Sequence, residues 1–460
     1  MAIGEFGRVV NDSGKKKLAE AVGEENVSFD TAQLSSLGWE GALPEVSVTP
    51  ESVGQLCEVV RLAQAECWRI APAGNLTKSG MGGVPQEIDL VVALNRLNRV
   101  TDYQPADLTV TAEAGTSIEA LATVLGEQGQ MLPLDVPFAA AGATVGGVMA
   151  TFSSGPRRLG YGSVRDLAIG VHFVTLDGKL AKGGGKVVKN VAGYDMMKML
   201  IGSFGTLAII AEATFKVLPI PKVSTTLIAG FADVKQAFGA RNRILDSPLA
   251  PQALDFMDAE SGALIGSDVL CEAPFSLAVH TAGPEAAVER VRRELTEIAR
   301  HEGGKTIAFL EGDRERQFWN DVQEATPAAL RVRREIAVLK ISVVLSQLAT
   351  IIEEAHRTAA EHGLGVAIVA RAGTGIVYCY LWPQSGGDLS MERMAMACET
   401  LLTDAERLGG YAVIEWCPFE LKSTLRLWGP AGDDFALMQR LKREFDPERI
   451  LNPGRLFGKI

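Results

Sequence analysis

Between Gly142 and Gly205 the chain holds fourteen glycines, gathered in clusters with no repeat period. Glycine costs stability inside helices and strands, so clusters of it mark backbone that must turn tightly or pass close to something else. The stretch from Gly142 to Pro219 reads GATVGGVMATFSSGPRRLGYGSVRDLAIGVHFVTLDGKLAKGGGKVVKNVAGYDMMKMLIGSFGTLAIIAEATFKVLP. Thr144, Ser153 and Ser154 stand among the glycines and can donate to phosphate or carbonyl oxygens. Two apolar runs, Leu167–Leu176 and Thr206–Phe215, have the length of strands and would hold the loops in place. The pattern points to a cradle for a large phosphorylated ligand.

The chain of 460 residues has room for about two to three domains at roughly 150 residues each. Hydrophobic residues at 47% and charged residues at 22% give the balance of a soluble globular protein. A net charge of −11 argues against a nucleic-acid surface. Apolar runs stop at strand length, so no transmembrane helix is expected. The opening MAIGEFGRVVNDSGKKKLAE lacks the apolar core of a signal peptide, and the expected location is the cytoplasm, with the inner membrane reached only through partners. Six cysteines, at 57, 67, 271, 379, 398 and 417, lie far apart and form no cluster-binding run, so reduced core thiols are expected and no metal site.

Residues 1–45 read as a helical lead-in. Thr49 and Pro50 then open a helix with Val53, Leu56, Cys57, Val60 and Ala63 on one face. A strand at Trp68–Ala71 leads into AGNLTKSGMGG, Ala73–Gly83, where successive N–H groups can form an anion nest. That loop matches neither GxGxxG nor GxxxxGK[ST], which removes a Rossmann or triphosphate site. Strands follow at Leu90–Leu94 and Leu108–Ala114, and Thr116 with Glu119 forms a capping box for a helix to about Gln128. After Pro219-Ile220-Pro221 the pattern becomes two successive βαββαβ sets, with strands at Thr225–Phe231, Ala253–Met257, Phe275–His280, Lys305–Leu310, Arg331–Ile341, Val366–Ala370, Ile376–Leu381 and Ala412–Trp416. Two ferredoxin-like units sharing one sheet are expected there. A last helix, Asp433–Glu444, ends at FDPERILNPGRLF.

Six motifs in order carry a resemblance: Pro72-Ala73-Gly74-Asn75-Leu76-Thr77-Lys78, Ala143-Thr144-Val145-Gly146-Gly147, Ser154-Gly155-Pro156-Arg157-Arg158, Lys189-Asn190-Val191-Ala192-Gly193-Tyr194-Asp195, Gly202-Ser203-Phe204-Gly205-Thr206-Leu207 and Asn452-Pro453-Gly454-Arg455. Over residues 44–460 the chain resembles FAD-binding oxidoreductases of the vanillyl-alcohol oxidase and p-cresol methylhydroxylase type. Within them it is most similar to glycolate oxidase FAD-binding subunits, a likeness to which Trp428-Gly429-Pro430 adds. The resemblance implies an α+β fold: a two-subdomain FAD-binding domain at 46–221, an α+β ferredoxin-like cap at 222–416, and a C-terminal segment, 417–460, that returns to the FAD domain. It implies that FAD is held by Pro72 to Lys78, Pro137, Gly142, Ala143, Thr144, Gly146, Gly147, Ser153, Ser154, Gly155, Arg157, Gly162, Lys189, Asn190, Ile209, Ile210, Asn452 and Arg455. Some relatives attach the flavin through a histidine of the first loop. Here the histidines are at 172, 280, 301, 356 and 362, all elsewhere, so non-covalent FAD is expected.

The implied reaction is oxidation of a CH–OH carbon, with hydride passing to the flavin and a base taking the hydroxyl proton. Related 2-hydroxy-acid dehydrogenases carry Glu-His-Gly near the C-terminus, where this chain has Ile414-Glu415-Trp416-Cys417. Tryptophan serves neither as base nor as metal ligand. Tyr194, Arg371 and Lys422 remain as candidate catalytic or carboxylate-clamping residues, with Arg426 beside them. One reading is the FAD-binding subunit of a glycolate or D-lactate dehydrogenase complex, partnered by a catalytic flavoprotein and an iron–sulfur subunit. The alternatives are a flavin-bearing electron-transfer or scaffold subunit, and a stand-alone sugar or aldonolactone oxidase.

Overall fold

The computed structural model describes residues 10–37, 43–185, 194–384 and 388–460. Two sheets make the first half. The smaller has the strand order Val27–Ser28, Val46–Val48, Leu90–Ala93, Ile70–Ala73, the last three parallel. The helix Val53–Glu66 makes the crossover from Val46–Val48 to Ile70–Ala73 and buries Leu56, Val59, Val60 and Ala63. Its cap is Ser52, whose hydroxyl accepts from Gln55 N at 3.2 Å, and not Thr49, because the helix starts only at Val53.

The second sheet is antiparallel, in the order Val100–Gln104, Thr109–Glu113, Ile209–Lys216, Ala168–Val174, Leu180–Gly184. The helix packed beside it, Ile118–Gly126, is capped by Ser117, which accepts from Ala120 N at 3.1 Å. Thr116, the expected cap, is buried with its hydroxyl toward Arg99 O.

From Val223 onward one eight-stranded antiparallel sheet dominates. Its order is Lys305–Leu310, Val223–Phe231, Phe275–Gly283, Ala253–Asp258, Leu364–Arg371, Ile376–Pro383, Ala337–Ser342, Tyr411–Trp416. Each half of that order is a ferredoxin-like unit, and the two join where Phe256 and Met257 pair with Ala370 and Val369. The helices Val234–Leu245, Glu285–His301, Leu348–Glu361 and Asp388–Arg407 cover one face and enclose its core. Part of the other face is apolar, with Ile228, Met257, Ala278, Val338 and Val369, under the helices Ala259–Ile265, Gly312–Gln323 and Ala325–Val332. The last of these helices occupies residues expected to start a strand at Arg331. AALRV is made mostly of strong helix formers, and the strand begins only at Ala337.

The C-terminal segment returns to the first half through one buried ion pair. Lys442 Nζ donates to Asp446 Oδ2 at 2.6 Å, Thr206 O at 2.8 Å and Leu451 O at 2.9 Å. Asp446 in turn accepts from Ile450 N and Leu451 N, each at 2.8 Å. Leu451 then lies parallel to Ile70, extending the smaller sheet. Removing one member of a buried pair strands the other charge. Lys442→Met is therefore expected to cost about 3–5 kcal/mol, read as a lower urea midpoint. An unchanged midpoint would show that the segment is held by other contacts.

Candidate cofactor site

The strand Ile70–Ala73 runs out at Gly74 into a loop whose backbone curls, with Leu76 at φ +56°. Among the described residues no backbone or side-chain acceptor takes the N–H groups of Asn75, Leu76, Thr77 and Lys78. Four successive free donors around a left-handed residue make a concave anion site. The loop's carbonyls are held from behind. Arg455 Nη1 donates to Ser79 O at 2.7 Å and Gly83 O at 3.1 Å, and Nη2 donates to Lys78 O at 3.2 Å. Asn75 Nδ2 donates to Gly142 O at 2.8 Å, which joins this loop to the glycine-rich one.

Thr144 caps the short helix Val145–Ala150, accepting from Gly147 N at 3.3 Å. Its hydroxyl crosses so close to Gly74 that a Cβ there would lie 2.3 Å from Oγ1. Gly205, at φ +69°, packs against Pro72 with the same lack of room, 2.6 Å from a built Cβ to Cγ. These close approaches leave a groove of about 110 Å³ lined by Pro72, Ala73, Gly74, Leu94, Ala114, Thr144, Gly146, Gly147, Ala150, Phe204, Gly205, Ala208, Ile209, Ile210, Asn452 and Arg455. Asn452 Nδ2 donates to Phe204 O at 2.6 Å, while its buried Oδ1 and the hydroxyl of Ser203 have no partner among the described residues. Trp428 wedges between the two loops, edge-on to Phe204 at 5.1 Å and against Gly82. Free donors, orphaned buried polar atoms and clearance that only glycine supplies together fit the phosphate-bearing part of FAD.

Other expected cofactor residues lie nearby but face other partners. Ser153 Oγ is 2.8 Å from Thr151 Oγ1, and Ser154 accepts weakly from Arg158. Gly155 packs on Asp135, Ala143 N bonds Phe138 O, and Gly162 ends the turn Arg158–Tyr161 at φ +85°. Pro137 is half-buried beside Phe138. Arg157 donates through Nε to Asp135 at 2.8 Å and lines a cavity of about 1480 Å³ between the two halves. Across that cavity, His280 Nδ1 lies 3.0 Å from Glu315, which also accepts from Thr226 and Ser224. Lys189 and Asn190 lie outside the described residues, and Tyr194 is 91% exposed.

The cap sheet turns polar where it approaches the first loop. Thr226, His280, Asp255, Arg371, Tyr378, Lys340 and Glu415 come from seven of its strands, each two residues from, and so on the same face as, an apolar core position in most of them. Arg371 is paired with Asp255 and lies 5.6 Å over Tyr378. Burial pushes the Asp255 carboxyl up to about 6 despite that partner. Lys422 donates to Gly80 O, and Arg426 pairs with Glu399 and Glu406 on the surface. Lys340, which no sequence motif marks, lies 3.6 Å from Glu415. A lone lysine inside the apolar strand AVLKIS was the available signal. From the first loop, Lys78 reaches over Phe138 at 5.8 Å, and Phe138 stands 5.5 Å from Trp416. Glu324, from the cap, accepts from Phe138 N at 3.1 Å and Ala140 N at 3.3 Å. Burial lowers the Lys78 ammonium to about 8, while Glu415 and Glu324 oppose the fall. Among the described residues no three His, Cys, Asp or Glu side chains converge as a metal site, and no helix is long and apolar enough to cross a membrane.

Residues 44–184 match the FAD binding domain family, and residues 220–456 match the C-terminal domain of FAD linked oxidases. Glycolate oxidase subunit GlcD of Bacillus subtilis is 26% identical over 457 residues, covering 97% of both chains. D-lactate dehydrogenase of Anaerostipes hadrus is 26% identical, covering 95% of this chain and 94% of that protein. Glycolate oxidase subunit GlcE of Escherichia coli is 33% identical over 225 residues, 49% of this chain and 55% of that protein. Among solved structures, p-cresol methylhydroxylase with substrate bound superposes with a TM-score of 0.77 at 17% identity, covering 96% of each chain. Alkyldihydroxyacetonephosphate synthase gives 0.76 at 18% identity, covering 97% of this chain and 85% of that one. These two share the fold, which is that of vanillyl-alcohol-oxidase-like flavoproteins with a ferredoxin-like cap.

Two outcomes check the site. Gly74→Val drives a side chain into Thr144 and is expected to abolish FAD retention while leaving the circular dichroism spectrum intact; retained FAD would separate the groove from the cofactor. Lys78 has a folded value below its ordinary one, so the folded chain binds fewer protons than the unfolded chain between about 8 and 10.5. Stability of the FAD-free protein is then expected to rise across that window, by up to about 3 kcal/mol, and Lys78→Met should flatten the rise in urea titrations at several pH values.

Proposed function

We propose that this chain, which belongs to the family of FAD-linked oxidases, oxidises the CH–OH carbon of a small 2-hydroxy acid such as glycolate or D-lactate. The observation that carries the reading is the groove together with the loop that leaves it at Gly74: glycine clearances in the one and four unclaimed N–H groups in the other, set beside a cap face rich in buried cations. The names of the relatives, glycolate oxidase subunits and D-lactate dehydrogenases, support the substrate class.

Bound FAD supplies the acceptor for the hydride that leaves the substrate carbon. The protein's own part is to bind and orient. Asn75–Lys78 and Thr144–Gly147 hold the phosphate-bearing chain, Ile209 and Ile210 flank it, and Asn452 and Arg455 close it. Arg371 fixes Asp255, and Lys422 fixes the first loop through Gly80. Phe138 of the first half and Trp416 of the cap pack ring to ring at 5.5 Å and join the two halves beside the first loop. The first loop offers no histidine, so the flavin is held without a covalent bond.

The chain is further read as one subunit of a glycolate-oxidase-type complex, with a catalytic flavoprotein and an iron–sulfur protein as partners. Likeness to two differently named glycolate oxidase subunits supports this. A second reading, a flavin-bearing electron-transfer subunit, is favoured by Trp416 standing where related dehydrogenases have histidine and by the pairing of Arg371 with Asp255. Anaerobic addition of glycolate or D-lactate to the FAD-loaded chain decides between them. Bleaching of the flavin band by the chain alone is expected for the first reading. Bleaching only after the partner subunits are added would support the second, and a protein that takes up no FAD would refute both. Acid precipitation should release all flavin to the supernatant; flavin left on the pellet would refute non-covalent binding.

A further inference from the structure

Glu324 stands between the cap helices Gly312–Gln323 and Ala325–Val332, and its backbone is fixed by both. Its N–H donates to Asn320 O at 3.0 Å, and its C=O accepts from Ala328 N at 2.9 Å. The half-buried side chain crosses to the first half of the molecule. Oε2 accepts from Phe138 N at 3.1 Å and Oε1 from Ala140 N at 3.3 Å, and the N–H of Ala139 between them also engages the carboxylate. Among the described residues, every hydrogen-bond donor to this side chain belongs to the first half. Burial pushes the Glu324 carboxyl up, and the three N–H groups oppose the rise. A carboxylate withdrawn from water with no donor on its own domain is costly, and those N–H groups are what offsets the cost.

The turn that receives the carboxylate is strained. Phe138 is left-handed at φ +67°, a region that bulky side chains rarely adopt, and Gly142 closes the turn at φ +83°. Inside it, Phe138 O accepts from Ala141 N at 3.2 Å and from Ala143 N at 2.9 Å, and Ala139 O accepts from Gly142 N at 2.8 Å. These bonds use the carbonyls and leave the N–H groups of 138, 139 and 140 for an acceptor from outside. Strained backbone persists only where its surroundings over-determine it, and here Glu324 is that surrounding. At the far end of the turn, Gly142 O accepts from Asn75 Nδ2 at 2.8 Å. Asn75 also opens the run of four free N–H groups in the first loop. The fit is close, since a Cβ built on Gly142 would lie 2.9 Å from Asn75 Nδ2. A continuous path of hydrogen bonds thus runs from a cap side chain, through one strained turn, to the loop that meets the cofactor.

We propose that Glu324 is a positioning residue for FAD, through which the cap governs retention of the cofactor. Seating of the cap sets the Phe138–Gly142 turn, and the turn sets Asn75 and the first loop. Glu324 does not line the groove itself and acts only through the backbone it holds. The proposal rests on the reading of the groove as an FAD site and is independent of the substrate. Such coupling is reciprocal: if the seated cap strengthens FAD binding, bound FAD strengthens the seating of the cap by the same factor.

The test is FAD binding to the whole chain freed of cofactor, followed by flavin fluorescence, with hydrogen exchange read on the helices Gly312–Gln323 and Ala325–Val332. Glu324→Ala is expected to weaken FAD by about tenfold or more, and Glu324→Gln, which keeps one acceptor oxygen, by no more than about threefold. With Asn75→Ala the path is already cut, so adding Glu324→Ala is expected to weaken FAD by less than about twofold more. FAD is expected to slow exchange in both helices of the wild type and to leave it unchanged in Glu324→Ala, a loss of coupling that a merely structural role does not produce. Circular dichroism identifies any variant that has misfolded, and the wild-type exchange measurement needs no variant. Unchanged FAD affinity in Glu324→Ala, or additive losses in the double variant, would overturn the inference. So would wild-type protein that binds FAD with no change of exchange in the two helices. Wild-type protein that binds no FAD would refute the cofactor reading, and the inference with it.

Discussion

The arrangement of the cofactor groove depends on the ion pair between Lys442 and Asp446. All three donors of the lysine are filled, and both carboxylate oxygens accept backbone N–H groups, so the pair meets the condition under which buried charges stabilise a fold. Its geometric effect matters as much as its energy. Thr206, at the end of the glycine-rich stretch, and Leu451, at the edge of the smaller sheet, are held by one nitrogen atom. Asn452 and Arg455 come directly after Leu451, and they can reach Phe204 and the first loop only from that position.

On the other side of the groove the cap supplies charge where the first half supplies backbone donors. The polar band across its sheet is continuous with an apolar core on the same face, so the side chains of the band stand on strands fixed by packing. Rigid strands place polar groups more reproducibly than loops do. Two members of the band, Asp255 and Arg371, neutralise each other. Lys340 and Glu415 sit farther apart, and their charges remain open to a third group.

Much of this was legible in the residues. The glycine clusters announced close backbone contacts, because only the absence of a Cβ explains glycine at Gly74 and Gly205. The alternation of apolar strands and amphipathic helices after Val223 was enough to suggest two βαββαβ units, since each half uses mostly local connections. The misplaced boundaries lie within a few residues of the observed ones: the helices start at Val53 and Ile118, so Ser52 and Ser117 cap them in place of Thr49 and Thr116. Long-range pairing stayed hidden. Nothing near Arg157 indicated that Asp135 would claim it, nor that His280 would meet Glu315, 35 positions away. Lys340 is the clearest case, because a single lysine in a buried strand carries meaning only once Glu415 is seen beside it.

The grip of Arg455 on Ser79 spans 376 positions of sequence and encloses the whole cap. Closing a loop of flexible chain that long carries a large entropic cost, and the closure becomes feasible only after the intervening residues have condensed into their own sheet. The topology therefore favours one order of assembly, in which the two halves of the molecule condense before the tail is captured and the loop that receives the cofactor is braced. Retention of FAD reports on the folding of the entire polypeptide, because the contact that braces the loop joins residues on either side of the whole cap.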